Sequence, residues 1–321
     1  MKKHYISNLK TGEELTSFFM VKNVAVKTGS NRRHYLDLTL GDKTGEISGK
    51  KWDLSDEEVA GAGEIHSGEV LKIKASVTEW NGMKQLRVTR IRKTGEQDGL
   101  EMADFIKAAP EAPDSMYAFI LDKAAHLDDE DLKKLCVKNL DDNRERLLYY
   151  PAASKNHHAE LGGLLWHMKR MLMTGERICE VYTDLNRDLV TAGVILHDMQ
   201  KLNEINANEL GISSGYSFEG QMLGHLVMGV RELDRQAREL HIPREKTILL
   251  EHMVLSHHYE PEYGSPVRPL FPEAEVLHYL DILDARLYDM ENALDKTEPG
   301  DFSERVWTLE NRRLYKQKQE P

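Results

Sequence analysis

The chain has 321 residues, of which 40% are apolar and 30% are charged, and its formal net charge is −11. No apolar run approaches the ~20 residues that span a bilayer, and the opening MKKHYISNLKTGEEL is too polar for a signal peptide. The two cysteines, Cys136 and Cys179, exclude a disulfide framework and a cysteine zinc motif. The acidic charge disfavours coating of nucleic acid but leaves room for a local basic groove. We therefore expect a cytoplasmic protein of two or three domains that does not enter a membrane.

Residues 1–95 carry the sequence pattern of β-strands. Apolar residues alternate with polar ones over 36–40 and over 71–75, which is the period of a half-buried strand. Residues 41–45 have turn chemistry, and Asn81-Gly82 is a strong hairpin signal. Several short strands separated by turns predict a small barrel.

The same segment interleaves aromatic and basic side chains. Aromatic faces can stack on bases while cations neutralise phosphates, which is the mixture that single-strand binding requires. The alternative is that Trp52 and Trp80 fill the barrel core and that the cations form an ordinary solvated face. The residues of this candidate binding surface are Lys22, Lys27, Arg32, Arg33, Tyr35, Lys50, Lys51, Trp52, Trp80, Lys84 and Arg87.

The chain changes character after residue 95. Residues 96–150 have the pattern of a polar linker followed by connecting helices, and residues 151–295 that of a helical domain with a stripe of apolar residues over 161–172. Residues 296–321 form an amphipathic tail, for which packing on its own domain and packing on a neighbouring subunit are both open.

Histidines and aspartates recur along the helical domain in a fixed order, at gaps of roughly thirty residues, about one helical hairpin each. A helical bundle builds a metal site in this way, with each ligand on its own helix. An adjacent histidine and aspartate can reach one region only if the helix ends or distorts there, because neighbours on a regular helix diverge by about 100°. The set is His167, His197, Asp198, His225, His257, His258 and Asp281.

Imidazole and carboxylate ligands suit Mn, Fe, Co, Ni or Zn, whereas Mg prefers oxygen alone. In a site with two metals, Asp198 could bridge them, and the metals would lower the pKa of a bound water. Lys201, one turn after His197, is placed to balance the charge of a phosphate. The residues by themselves indicate metal-assisted phosphoester hydrolysis, with Asp198 and Lys201 as catalytic side chains.

Some other residues of the same types have plainer interpretations. A single histidine on an apolar stripe is more often a hydrogen-bonded core residue than a ligand, and we interpret His241, His252 and His278 in this way. Asp284 is either a carboxylate on a helix face or a partner of a ligand. The pair His157-His158, ahead of the bundle, fits a substrate-phosphate role and a plain loop role equally.

The ordered set resembles that of the HD-domain metal-dependent phosphohydrolases. The dipeptide alone is a weak motif, but its context is sharper: NHHAELGGLLWHMKRM, AGVILHDMQKL, GYSFEGQMLGHLVMG, LSHHYEPEYGSPVRP and LHYLDILDARL. The N-terminal part resembles the OB-folds that bind single strands. With the tail FSERVWTLENRRLY, nearly the whole chain resembles the YhaM-type 3′→5′ exoribonucleases. The resemblance implies a multidomain fold, in which a small OB-like β-barrel is followed by an all-α HD-domain helical bundle.

The resemblance also implies a Mn-dependent hydrolase that shortens single-stranded RNA, or single-stranded DNA, from the 3′ end and releases nucleoside 5′-monophosphates. By motif position, one ion would be held by His167, His197, Asp198 and Asp281, and a second by His225 and His257, with His258 as a further candidate. The nucleotide pocket would be shaped by residues 162–163, 216–224 and 263–266, with Gly163, Tyr216, Glu219 and Tyr263 as substrate-binding residues. His158 is a further candidate for substrate binding. Trp166 and Gln200 depart from the family pattern, which affects substrate preference and rate rather than the chemistry.

Two other functions remain open. An HD phosphohydrolase could act on mononucleotides or cyclic dinucleotides, with the barrel as an interaction module, and a preference for free nucleotides over oligomers would favour it. The second is a non-catalytic adaptor that binds single strands and whose metal site is structural. The complete ligand set argues against it, because a structural metal site needs neither open coordination positions nor a lysine beside it. We also expect a homo-oligomer.

Overall fold

The computed structural model of the protein describes residues 2, 4–29, 32–154 and 158–318. His157, one of the two histidines considered for a substrate phosphate, lies outside these ranges. The chain divides into two compact units, Met1–Ala108 and Ala109–Pro321. Within the described ranges, no helix combines the length and the apolar character that crossing a membrane requires.

The first unit is a closed barrel of five strands in the order β1-β2-β3-β5-β4. All neighbouring strands are antiparallel except β3 and β5, which are parallel. A short helix between β3 and β4 completes the arrangement of an OB-fold, so the expected OB-like barrel is confirmed. The elements are β1 (Glu14–Thr28), β2 (His34–Asp42), β3 (Gly45–Lys51), α1 (Asp56–Ala62), β4 (Val70–Trp80) and β5 (Met83–Lys93).

The alternation in the sequence decides which side of each strand faces the barrel interior. Leu36, Leu38 and Leu40 of β2 are buried, and the polar residues between them point outward. Asn81 and Gly82, with φ of 49° and 76°, form the two-residue turn between β4 and β5. Such a turn needs positive φ at both positions, which asparagine and glycine adopt at little cost.

The second unit is a bundle of helices, as expected, with one small two-stranded sheet inserted between α6 and α7. The sequence pattern does not predict this sheet, because strands of three and four residues are too short to show a period. The elements are α2 (Pro113–Ala125), α3 (Glu130–Leu147), α4 (Gly163–Val181), α5 (Arg187–Leu196), α6 (Lys201–Glu204), β6 (Ile205–Ala207), β7 (Ser213–Tyr216), α7 (Phe218–Glu239), α8 (Arg244–Ser256) and α9 (Pro272–Asp295).

One hydrophobic core holds this bundle together. The stripe on α4, which includes Leu164, Met168 and Met171, is fully buried. The helices α2 and α3, which the sequence analysis assigned to the connecting region, contribute buried residues such as Ile120 and Leu140 to the same core. Burial of each such side chain contributes about 1.5–3 kcal/mol, so α2 and α3 stabilise the frame that carries the site.

The tail folds back on the helical unit. Phe302 pairs with Tyr315 across an isolated bridge, and Leu309 is fully buried. The carboxylate of Glu310 accepts two hydrogen bonds from the guanidinium of Arg286 on α9, at 2.7 and 3.0 Å. The sequence left open whether the tail packs on its own domain or on a neighbouring subunit. The described part of the tail packs on its own unit.

Candidate metal centre

The helical unit brings imidazole and carboxylate groups from several helices to one buried point. His167 lies on α4, His225 on α7 and Asp281 on α9, while His197 and Asp198 directly follow α5. A turn over residues 197–200 separates α5 from α6. The two adjacent side chains can therefore face one region, as the sequence argument required.

The carboxylate of Asp198 lies at the centre of the cluster. Its Oδ2 atom is 3.3 Å from Nε2 of His197 and 3.8 Å from Nε2 of His167. Its Oδ1 atom is 3.4 Å from Nε2 of His225 and 3.8 Å from Nε2 of His257. Each carboxylate oxygen thus faces its own pair of imidazole nitrogens, which is the arrangement that a carboxylate shared by two metal ions needs.

Asp281 and His258 complete this cluster. Asp281 Oδ1 lies 3.3 Å from Nε2 of His167. His258 groups with His225 and His257, with one ligand atom from each lying within 4.8 Å of the others. Nδ1 of His258 donates to a backbone carbonyl at 2.7 Å, which leaves its Nε2 as the atom that can bind a metal. The structure therefore brings all seven predicted ligands together.

Hydrogen bonds fix which nitrogen of each imidazole faces the cluster. Nδ1 of His197 and Nδ1 of His257 donate to the carbonyl oxygen three residues earlier, at 2.9 and 2.8 Å. Nδ1 of His225 donates to the carboxylate of Glu204 at 3.0 Å. The Nε2 atoms of these three histidines are buried and have no hydrogen-bond partner within the described ranges. Buried polar atoms are normally paired, and an unprotonated imidazole nitrogen is a good metal ligand, so these residues fit a metal centre.

Asp284 orients His167 by binding the ring nitrogen that does not face the cluster. Its Oδ2 atom accepts from Nδ1 of His167 at 2.7 Å and from Nε2 of His158 at 2.8 Å, while Oδ1 lies 2.6 Å from Nε of Arg170. Of the two interpretations of Asp284, the structure supports the partner of a ligand. Such hydrogen bonds hold a ligating imidazole in one tautomer and orientation.

The ionisation states suit cation binding. Burial lowers the pKa of His167, but Asp281 and Asp284 outweigh burial and raise it to about 9, so a bound metal ion would replace a proton there. Burial raises the pKa of Asp198, yet the charges of His197 and Lys201 hold it well below its usual range. Lys201 Nζ lies 2.6 Å from Asp198 Oδ2, and this carboxylate outweighs burial and raises the lysine pKa.

Glu204 is a residue of the site that the sequence analysis missed. It accepts hydrogen bonds from the backbone N–H and from Nδ1 of His225, both at 3.0 Å. It reaches that backbone N–H because α7 is broken at Gly224, whose φ of 69° and ψ of 159° are not helical. His225 therefore starts a second helical segment that Glu204 caps. The glycine before His225 is the one sign of this break in the sequence, and it does not reveal the partner.

Two residues predicted for the nucleotide pocket are buried. His158 is fully buried and is bonded to Asp284, so it supports His167 and cannot contact a substrate as it stands. Gly163 is also buried, and a Cβ at this position would lie 2.0 Å from the carbonyl oxygen of His158. Glycine is thus required here for the close approach of the His158 backbone. Tyr216, Glu219 and Tyr263, by contrast, are exposed.

The tryptophans of the candidate binding surface lie on the outside of the barrel. Tyr35 and Trp52 stack with their ring centroids 4.4 Å apart, and Lys50 Nζ lies 5.9 Å from each ring. The side chains of Trp52 and Trp80 are 45% and 66% exposed, so the interpretation that they fill the core is wrong. Arg32 is exposed as well. The barrel therefore offers stacking faces to solvent.

Fewer of the predicted cations are available than the sequence suggested. Lys22 is half-buried, and burial lowers its pKa. Lys84 donates to the carbonyl of Leu9 at 2.7 Å. Three others lie in ion pairs of 2.5–3.0 Å, namely Lys27–Asp37, Arg33–Asp53 and Lys51–Glu58.

A family profile described as HD domain matches residues 164–286, the span from α4 to α9 that carries the cluster. This match shows that the span that carries the buried ligand set is an HD domain, the domain of metal-dependent phosphohydrolases. Among solved structures, the second OB-fold domain of replication protein A from Methanococcus maripaludis is 19% identical. The match covers 28% of this chain and 92% of that one at a TM-score of 0.23. We therefore assign the barrel to the OB-fold from its strand order alone.

Known relatives align with almost the entire chain. The 3′-5′ exoribonuclease YhaM of Shouchella clausii is 36% identical over 311 residues, which is 97% of this chain and 96% of the relative. The 3′-5′ exoribonuclease YhaM of Halalkalibacterium halodurans is 37% identical over 307 residues, with 96% and 94% covered. The chain belongs to the YhaM family of 3′-5′ exoribonucleases.

Proposed function

We propose that the chain removes nucleotides from the 3′ end of single-stranded RNA and releases nucleoside 5′-monophosphates, with single-stranded DNA as a second substrate. The observation that carries this proposal is the Asp198 carboxylate, which has two imidazole nitrogens beside each of its oxygens. The names of the relatives give the direction and the class of substrate.

The ligands divide into two sets around the shared carboxylate. Bound there, two divalent ions would lower the pKa of a coordinated water and neutralise oxygens of the scissile phosphate. We favour Mn over Co, Fe, Ni or Zn on the family resemblance, and the imidazole donors argue against Mg. One set is His167, His197, Asp198 and Asp281, and the other is Asp198, His225, His257 and His258.

Lys201 supplies fixed positive charge beside this centre. Its ammonium group is buried and stays protonated next to Asp198. As water attacks the terminal phosphodiester, the phosphate gains negative charge, which a preorganised cation stabilises more than it stabilises the ground state. The bond from phosphorus to the 3′-oxygen breaks, and that oxygen takes a proton from water or a nearby group. Asp198 and Lys201 are thus the proposed catalytic pair.

The exposed side chains around the site and on the barrel would hold the strand. Tyr216, Glu219 and Tyr263 are proposed to contact the terminal nucleotide, because they are exposed on the segments that flank the ligands from α7 and α8. On the barrel, base stacking would involve Tyr35, Trp52 and Trp80, with Arg32 nearby in sequence, since exposed aromatic faces bind bases without sequence preference.

The first test is hydrolysis of a 5′-labelled single-stranded RNA with Mn, with and without chelator. A ladder that shortens from the 3′ end and disappears on chelation is the expected result. Asp198→Ala should abolish hydrolysis while RNA binding persists, and full activity of that variant would end the proposal. Absence of cleavage with every divalent metal would favour hydrolysis of mononucleotides or cyclic dinucleotides first, and a binding-only adaptor second.

We also propose that the chain forms a homo-oligomer through α9. Tyr279, Ile282, Leu283 and Leu287 follow one another at helical spacing, and all four are exposed by 38% or more. An apolar stripe of this kind on a helix is typical of an interaction surface. Light scattering after size exclusion should give a multiple of the 36.8 kDa chain mass, and a monomer at micromolar concentration would contradict this proposal.

A further inference from the structure

The outer face of β3, β5 and β4 carries three pairs of like charge. Two of them lie directly opposite each other in the antiparallel β4–β5 ladder, and one lies in the parallel β3–β5 ladder. The pairs are Lys72 with Arg92, Lys74 with Arg90, and Lys50 with Arg87, and we call these six residues the basic track.

Like charges directly opposite each other destabilise a sheet. In the described part of the chain, Asp98 relieves one of the three pairs, since its carboxylate lies 2.6 Å from Arg92 and also interacts with the charge of Lys72. The residues of the other two pairs make no ion pair in that part of the chain. The ammonium group of Lys72 lies 5.2 Å from the ring centroid of Phe18. A face that repels itself in the free protein is stabilised when an anion covers it.

The charge of the chain is divided unevenly between its parts. Residues 1–108 hold 18 lysines and arginines against 16 acidic residues, whereas residues 109–321 hold 25 against 38. The acidity of the chain thus comes from its helical unit. The barrel, and the basic track within it, is the part suited to a polyanion.

The basic track continues from the stacked aromatic pair. Lys50 is within 5.9 Å of the Tyr35 and Trp52 rings, and Trp52 and Arg87 line one shallow depression. From Arg87 to Arg92 the strand β5 spans roughly 17 Å at ~3.4 Å per residue. That distance corresponds to about five nucleotides at ~3.4 Å per nucleotide along a stacked strand.

We propose that the basic track binds the phosphates of single-stranded RNA next to the nucleotides that stack on Tyr35 and Trp52. The inference rests on the proposed function and adds a path for the strand along β5. Single-stranded RNA is favoured over an acidic protein partner because the track leads into exposed stacking faces, which a peptide would not need. Phosphate contacts and stacking on aromatic faces do not distinguish the bases, so this contact should be independent of sequence.

The test measures binding of an RNA of about 24 uridines to the full chain at salt concentrations from about 0.05 to 0.3 M, with chelator present so that the strand stays intact. The test variant is Lys74→Gln/Arg90→Gln. The control variant, Lys10→Gln/Lys134→Gln, removes the same charge at exposed positions outside the track that make no ion pair in the described part of the chain.

Each phosphate contact on a single strand contributes about 0.7 to the slope of log affinity against log salt. Loss of two contacts should therefore reduce the slope by about 1.4 and weaken binding about 25-fold at about 0.1 M salt. The melting temperature of the test variant should stay equal or rise, because one like-charge pair is removed. The control variant should bind like the parent.

Equal slopes for the test and control variants would overturn the basic track while leaving the proposed function intact. A parent chain that neither binds nor shortens RNA would overturn both. If the test variant instead changed its oligomeric state and kept its RNA affinity, the track would be a subunit interface, and the proposal would be wrong.

Discussion

Replacement of Asp284 by asparagine tests how the His167 side chain is held. Asp284 accepts hydrogen bonds from His167 and His158 on one oxygen and lies 2.6 Å from Arg170 Nε on the other. An asparagine has one acceptor oxygen and one NH2 group. In either orientation the NH2 group faces a donor, which is Arg170 in one case and the two imidazoles in the other.

The expected size of the effect follows from these contacts. The carboxylate fixes the tautomer of His167 and favours its Nε2 as a ligand, and loss of such a partner costs about 10–100-fold in metal affinity. This range corresponds to about 1.4–2.7 kcal/mol of binding free energy. Because His167 itself stays in place, high metal concentration should restore much of the hydrolysis rate.

The assay is calorimetric titration of the metal-free chain with Mn, at a temperature well below the unfolding of the Asp284→Asn variant. The matched control is Glu291→Gln, which removes the other carboxylate partner of Arg170, at 3.3 Å, without touching either histidine. Unchanged Mn affinity in Asp284→Asn would refute the reasoning. So would an equal loss in the control, because the effect would then come from Arg170.

Three further results are expected. Glu204→Gln should weaken metal binding about 10-fold, since His225 loses an anionic partner, and an affinity equal to that of the parent would contradict this. Glu310 has a φ of 52°, and both Glu310→Gly and Glu310→Ala lose the ion pair with Arg286. Only glycine relieves the backbone strain, so Glu310→Ala should cost about 1 kcal/mol more than Glu310→Gly in urea unfolding, and equal losses would show that this strain is absent. The pKa of Asp98 is lowered from 3.8 to about 2 by its hydrogen bonds with Arg92. Since the pKa of Asp98 is lowered in the folded state, its pair with Arg92 stabilises the fold fully above pH 3.8, and this stabilisation is lost as the pH falls through about 2. An NMR titration of the Asp98 carboxyl with a midpoint near 4 would contradict this prediction.

The barrel strands and the metal ligands could be predicted because each depends on a local or ordered pattern. The period of two over residues 36–40 decides which side of β2 is buried. The Asn81-Gly82 turn needs a backbone conformation that few residue pairs adopt easily. The ligands follow one another on successive helices, and imidazole and carboxylate groups by themselves indicate a divalent metal ion.

The partners of the ligands could not be predicted, because nothing local marks them. Asp284 and His158 meet across 126 positions of sequence, and Glu204 reaches His225 only through a break in α7. A buried carboxylate and a surface carboxylate look alike in a sequence. For the same reason the exposure of Trp52 and Trp80 could not be decided, since a tryptophan on a strand fits both faces until the register is known.

The break at Gly224 divides α7 into an outer piece that carries no metal ligand and a second piece that begins with the ligand His225. The six residues of Phe218–Leu223 are largely exposed, and Phe218 and Met222 are 79% and 68% accessible. The piece that begins at His225 is capped by Glu204, whose backbone also lies closely against Gly220 of the outer piece. Mutations at the exposed positions of the outer piece can accumulate without displacing a ligand, whereas a side chain at Gly220 would clash with the backbone of Glu204. Evolution could retune what such an enzyme accepts while its hydrolytic centre stays fixed.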